Sequence, residues 1–321
     1  MPLVSIIVPN YNYARFLPER MDSIFKQSFQ DYEIILLDDC STDNSQEVIE
    51  QYRNHPKVSA IVYNQTNSGS PFKQWCKGVG MAKGKYVWIA EADDSALPDF
   101  LSTGVELLER YADASVAFMG CNVIDDNGEY TDCNLDRWGR KQKSSKGYRV
   151  LDGDKYVVHN MFWRSYVYNA SGTVFRREFA TADKFELCGQ MRNAGDWLFW
   201  TMMIAGNRII EVYKKLNIYR MHNNNTTLQG MRNGNVKKED VKVMQYIERN
   251  FNVGAYRKAM RHGLFIKQIL RWDYSQELKT EIFQSMNERL GSTMRDYKFQ
   301  RINKFFWHIC PFLLTEENDR L

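Results

Sequence analysis

Three carboxylates, Glu91, Asp93 and Asp94, fall within four positions, directly after the apolar run Tyr86 to Ala90 that reads as a buried strand. Like charges at a strand end repel one another and resist desolvation, so something positive belongs among them. A divalent cation held by carboxylate oxygens is the chemistry such a set can do. Two other polar clusters close apolar runs in the same way: Pro9-Asn10-Tyr11-Asn12 and Asp38-Asp39. A further carboxylate, Asp196, stands at the head of the strongly apolar segment WLFWTMMIA, where it can cap a helix.

The elements that must position these residues alternate in type. Leu3 to Val8 and Glu33 to Leu37 are continuous aliphatic runs, the pattern of strands covered on both faces. Between them, Leu17, Met21, Ile24 and Phe25 have helical spacing. The capping cluster Ser41-Thr42-Asp43-Asn44-Ser45 announces a second helix, and a strand follows at Val58 to Tyr63. A third helix spans about Phe72 to Ala82 before the acidic strand. This β-α-β-α-β-α-β order predicts an α/β doubly wound sheet with helices on both faces, whose ligands bind at the carboxyl ends of strands. Beyond it we expect a helix over Leu101 to Tyr111, a strand over Val116 to Met119 and a hairpin at Asp125-Asp126-Asn127-Gly128. A basic loop over Asp136 to Lys146, a strand over Tyr166 to Phe175 and a helix over Asp196 to Ala205 follow. Residues 235–321 read as a helical C-terminal appendage to a domain at 1–234, whose halves are 1–100 and 101–234.

With 321 residues and 44% hydrophobic content the chain can bury a large core, which excludes disorder. The net charge is +4, and from Asn235 onward 16 Lys and Arg face 11 Asp and Glu, so the basic excess sits in the tail. Six scattered cysteines form no C-x-x-C pair and no zinc-ligand spacing, as expected of reduced thiols in a cytoplasm. The start MPLVSIIVPN lacks a basic region before its apolar residues and reads as a first strand, not a signal peptide. No apolar run approaches the roughly 20 residues that span a bilayer; the longest candidate, Phe305 to Leu314, is broken by His308 and Pro311.

Four stretches taken in order, VSIIVPNYN, EIILLDDCSTDNS, GKYVWIAEADD and AGDWLFW, resemble the family 2 inverting glycosyltransferases with the GT-A fold, over about the first 230 residues. The resemblance implies a nucleotide-sugar donor, with a divalent metal, Mn²⁺ or Mg²⁺, against its diphosphate. Asp94 is then the expected metal ligand and Asp93 the contact to ribose or sugar, while Glu91 stands where many relatives carry Asp. Asp39 matches the position that accepts the N3 hydrogen of uracil, which points to UDP; Tyr11 matches a residue stacking on the base, and Pro9 shapes that loop. Asp38 is read as structural. Asp196 matches the catalytic base. His222 falls where relatives have a His that completes the metal shell or meets the diphosphate, and Arg220 is placed to pair with phosphate oxygens. Lys73 and Trp75 are weaker candidates for the donor pocket, and Trp163, Tyr166, Tyr168 and the 136–146 loop lie where an acceptor site belongs.

The expected acceptor is a glycan or lipid-linked glycan in surface polysaccharide synthesis, with no nucleic-acid partner. A nucleotidylyltransferase would need a Gly-rich phosphate loop after the first strand, and VPNYNYARF has none. A membrane-embedded polymer synthase would need spanning helices and a Q-x-x-R-W motif, of which Gln229-Gly230-Met231-Arg232 is a partial echo. The remaining alternative is a catalytically silent sugar-nucleotide-binding or scaffold protein. In the tail, Phe299, Ile302, Phe306, Ile309 and Leu313 share one helical face, with Arg301, Lys304 and His308 on another. Such a helix docks on the catalytic domain or makes peripheral contact with the inner face of the plasma membrane.

Overall fold

The computed structural model describes residues 1–136, 146–222 and 230–310. The basic segment 137–145, the polar run 223–229 and Leu313 lie outside the described residues, as does the side chain of His308. One nine-stranded sheet forms the centre. Its strands are β1 (Val4–Asn10), β2 (Tyr32–Asp38), β3 (Val58–Tyr63), β4 (Tyr86–Ile89), β5 (Ser95–Ala96), β6 (Ala114–Ile124), β7 (Tyr148–Asp152), β8 (Thr173–Arg176) and β9 (Arg208–Arg220). The order is β3-β2-β1-β4-β8-β6-β9-β5, with β7 also paired to β9. The half β3-β2-β1-β4 is wholly parallel, and β8 joins it antiparallel to both β4 and β6. Every residue of β1 and β2 is buried, as their unbroken aliphatic runs demand.

The parallel strands are linked by helices α1 (Leu17–Phe25), α2 (Ser45–Glu50) and α3 (Pro71–Met81), and α4 (Phe100–Arg110) leads into β6. Because β1 pairs with β2 on one side and β4 on the other, the order in which strands are added reverses at it, and the crevice at its carboxyl end is the expected ligand position. The strand expected over Tyr166 to Phe175 is realised only as β8. A 3₁₀ turn at Ala170–Gly172 precedes it, held by the Asn169 side chain, which accepts from the Gly172 amide. Asn169 competes with the sheet for the backbone, a habit of Asn that residue periodicity does not register. After α5 (Gly153–Tyr156) and α6 (Ala182–Gly189) comes α7 (Gly195–Ile204), buried from Trp197 through Ile204. A helix apolar on all sides belongs inside a protein, and α7 packs under the sheet against Phe175 and Trp75.

Helices α8 (Asn235–Asn250), α9 (Ala255–Arg271), α10 (Gln276–Leu290) and α11 (Met294–Ile309) complete the described chain. Their inner faces merge with the domain core. Val241, Met244 and Ile247 belong to the same buried apolar cluster as Phe199 and Trp200, and Arg261 donates to the Phe162 carbonyl at 2.9 Å. The outer end of α11 is different. Ile302, Phe305, Phe306 and Ile309 are exposed, while Phe299 packs inward on Tyr256.

Candidate active site

The three strand ends converge on one cleft of about 360 Å³, lined by Pro9, Tyr11, Asp39, Glu91, Asp93 and Asp94 and also by Asp196. The first wall is a rigid pair of loops. Asn12 and Cys40 both hold positive φ, at 59° and 61°, where non-glycine residues are uncommon. Asn12 is fixed there by its Oδ1, which accepts from the Thr42 amide at 2.7 Å. Asp38 is buried and accepts from Asn10 Nδ2 at 2.8 Å and Ser41 Oγ at 2.6 Å, so its role is structural, as expected.

Asp39 is nearly as enclosed but borders the cleft. Its Oδ1 accepts from Asn64 Nδ2, Ser68 N and Gln74 Nε2 at 2.6, 2.9 and 2.8 Å, and its Oδ2 from Ser68 Oγ at 2.7 Å. A carboxylate oxygen has two lone pairs, so Oδ2 keeps one for a further donor. Tyr11 is 45% exposed, free to lie on a planar ligand beside Pro9.

The acidic turn has an internal cation. Arg20, on α1, is completely buried and donates to the Glu91 carbonyl at 2.8 Å and to Ser171 Oγ at 3.2 Å, with its guanidinium over the Trp88 ring. Desolvation lowers its pKa to about 10, opposed by the carboxylates of Asp94, Asp93 and Glu91. Burial, with Asp93 alongside, pushes Glu91 up to about 8 and Asp94 to about 6. Sequence reasoning missed Arg20, although it lies on the buried face of α1 with Leu17, Met21 and Ile24, an unusual place for an unpaired cation.

The structure separates Asp93 from Asp94 in a way the sequence did not. Both oxygens of Asp94 are engaged inside the protein, Oδ2 by Asn169 Nδ2 and Oδ1 by the Arg220 amide, each at 2.9 Å. Asp93 Oδ2 instead lies 3.0 Å from His222 Nε2. Each Asp94 oxygen thus accepts one bond and keeps a lone pair toward the cleft that Asp94 lines, and Asp93, backed by the buried His222, lines the same cleft. The phosphate role expected of Arg220 is corrected. Arg220 is 2% exposed, its guanidinium tied to Glu19, to the Asp93 carbonyl at 2.9 Å and to the Asp125 carbonyl at 3.2 Å, and it does not line the cleft. Arg220 buttresses the acidic turn from behind.

Asp196 begins α7 and is half-buried, with its Oδ1 accepting from the Trp197 amide at 2.7 Å. Desolvation raises it to about 7, and the charges of Asp240 and Glu239 push the same way. Gly195 permits this position, because a Cβ there would come within 2.4 Å of the Phe72 ring and 2.8 Å of the Cys188 carbonyl. Trp75 lines the cleft and donates to Glu91 Oε1 at 2.8 Å; Lys73 turns away to the Ser68 carbonyl at 3.1 Å. Tyr168 borders the cleft and donates to Asp136 Oδ1 at 2.5 Å, whereas Trp163 and Tyr166 are core residues.

The family model for glycosyl transferase family 2 matches residues 5–178, more than half of the chain. The chain belongs to this family. Among curated members it is 32% identical over 128 residues to a putative teichuronic acid biosynthesis glycosyltransferase, TuaG, of Bacillus subtilis; that match covers 40% of this chain and 50% of the relative. The chain thus spans about half the length of that relative. Among solved structures it superposes on residues 1–349 of Staphylococcus aureus TarS in complex with UDP, with TM-score 0.63 and 18% identity, covering 96% and 92% of the two chains. A mannosyltransferase of Pyrobaculum calidifontis in complex with GDP-Man and Mn²⁺ gives 0.58 and 15%, covering 97% and 82%. These likenesses establish the family 2 GT-A fold that the motifs implied.

Proposed function

We propose that the protein transfers a sugar from a UDP-sugar to a hydroxyl of a glycan or lipid-linked glycan, with inversion at the anomeric carbon, in the synthesis of a surface polysaccharide. The observation that carries this is the convergence in one cleft of Asp39, of Asp93 and Asp94, with His222 bonded behind Asp93, and of a carboxylate, Asp196, raised to about 7. The remaining lone pair on Asp39 Oδ2 takes the uracil N3 hydrogen, with Tyr11 against the base and Pro9 beside it. Curated relatives include TarS, a poly(ribitol-phosphate) beta-N-acetylglucosaminyltransferase, and TarS has been solved in complex with UDP-GlcNAc, which supports a uridine donor and a cell-surface product.

The acceptor hydroxyl gives its proton to Asp196 as its oxygen attacks the anomeric carbon. The bond from that carbon to the diphosphate oxygen breaks in the same displacement, and UDP leaves. A base works best with a pKa near the operating pH, which is where burial has moved Asp196.

The donor set also fits a divalent cation. Asp93 and Asp94 line the cleft with carboxylate oxygens, and His222 Nε2, 3.0 Å from Asp93 Oδ2, would add an imidazole nitrogen. No group of three or more His, Cys, Asp or Glu able to hold a metal occurs among the described residues, so the other ligands must come from donor phosphate oxygens and water, the usual arrangement for Mg²⁺. When bound, Mn²⁺ or Mg²⁺ neutralises charge that grows on the departing diphosphate. Asp94 and Arg220 hold the turn that presents Asp93.

No helix among the described residues is long and apolar enough to cross a membrane. We place the enzyme in the cytoplasm, with the exposed apolar end of α11 as a contact for the inner face of the plasma membrane. A screen of nucleotide sugars for metal-stimulated release of UDP tests the central reading. Release from one or more UDP-sugars is expected; UDP binding without any turnover of donor would favour a silent binding protein.

A further inference from the structure

Glu239 lies on α8, outside the segment that the family model matches, and reaches back to the loop that carries Asp196. Its Oε1 accepts from the Arg192 amide at 2.9 Å, and its Oε2 accepts from the Asn193 and Ala194 amides at 2.7 and 2.8 Å. Three successive backbone N–H groups converging on one anion form a nest, a concavity that binds negative charge. Here the chain supplies the anion itself.

The loop so held runs directly into Gly195 and Asp196. Among the described residues no side chain hydrogen-bonds the Asp196 carboxylate, so its direction is set by the backbone that bears it. Downstream, that backbone is fixed by α7 and by the close approach of Gly195 to Phe72. Upstream it is fixed by Glu239. Arg192 and Asn193 line the cleft beside Asp196, so a shift of this loop moves the wall as well as the carboxylate.

We propose that Glu239 is a positioning residue for glycosyl transfer, clamping residues 192–194 so that the Asp196 carboxylate meets the acceptor hydroxyl. The C-terminal helices then complete the active site, and the inference rests on Asp196 being the base. The charged and titratable groups facing Asp196 are Glu239 and Asp240 on α8 and Cys188 on α6. Lys237 pairs with Asp240 at 3.0 Å, whereas among the described residues Glu239 is answered by backbone dipoles alone. Glutamine in its place has one oxygen where the nest needs two, and it lacks the negative charge.

The test compares Glu239→Gln, Glu239→Asp and Asp196→Asn with wild type in kcat, donor KM, UDP affinity and the pH profile of transfer. Glu239→Gln should bind UDP within about threefold of wild type and lose about 10–100-fold in kcat, the scale of a misplacement near 1 Å. Loss of a negative neighbour lowers the pKa of Asp196, so the acid limb of the profile should move to lower pH. Glu239→Asp keeps the charge and shortens the reach; its acid limb should stay near wild type while kcat recovers only in part. Wild-type kcat and pH profile in Glu239→Gln, with Asp196→Asn inactive, would reduce Glu239 to a fold contact and overturn the proposal. Equal losses of kcat and UDP affinity in both Glu239 variants would overturn it too. Full transfer by Asp196→Asn would instead remove the base reading on which it rests.

Discussion

Arg20→Met isolates the built-in cation under the acidic turn. Methionine keeps an unbranched stem of similar length but removes a fully buried guanidinium, its place over the Trp88 ring and its bonds to the Glu91 carbonyl and Ser171. Hydrogen bonds from charged donors are worth about 1.5–3 kcal/mol each, and removing one partner of a buried charge set costs about 3–5 kcal/mol. We therefore expect a loss of about 3–5 kcal/mol, or roughly 6–15 °C in Tm for a chain of this size. The loss should depend on pH. Glu91 and Asp94 have folded pKa values raised to about 8 and about 6, so the stability they allow is present at low pH and falls as pH rises through that window. The penalty of Arg20→Met should thus be larger at pH 8 than at pH 5, measured by thermal and urea unfolding with chelator present. A Tm within about 2 °C of wild type at pH 8 would refute the reasoning.

Transfer by the wild-type enzyme should fall as pH drops below about 7, because Asp196 must be ionised to take a proton and its pKa is raised to that value; a flat kcat/KM from pH 5 to 8 would contradict this. UDP affinity by calorimetry should rise with Mn²⁺ and lose that gain in Asp93→Asn and His222→Ala, whereas equal affinity with and without metal in the wild type would end the metal role. Sedimentation with anionic vesicles at low salt should capture the protein through Ile302, Phe305, Phe306 and Ile309 beside Lys304 and Arg301, and Phe305→Ser with Phe306→Ser should release it; no binding by wild type would leave this face without a lipid role.

The strand-end motifs were legible because parallel strands buried on both faces have an unmistakable composition, and polar residues at their carboxyl ends have one place to go. The cleft and Asp39 beside it follow from that pattern; Asp196 was legible as the head of an apolar helix, and its role came from the family resemblance. What stayed hidden depends on atoms that pack from distant segments. The different bonding of Asp93 and Asp94 is set by Asn169 and by the amide of Arg220, neither of which neighbours them in sequence. Arg220 reads as a free cation until Glu19 and two carbonyls claim it. Tyr166 to Phe175 has a strand-like composition, yet the Asn169 cap and the bonds from Trp88 and Glu91 to Ser171 pull its first half out of the sheet. The C-terminal helices read as an appendage because their amphipathic faces do not say what they cover; Glu239 and the shared core answer that.

The most direct test of the account is Asp196→Asn, assayed for kcat of sugar transfer and for UDP affinity on one preparation. Asparagine keeps the shape and the capacity to start α7 but cannot take a proton at neutral pH. General-base catalysis is worth about 10²–10⁴-fold, so kcat should fall on that scale while UDP affinity stays within about tenfold of wild type. Near-normal kcat in the variant would contradict the account, leave Asp196 as a helix-starting residue and move the search for the base to another carboxylate, with Glu186 the nearest upstream candidate.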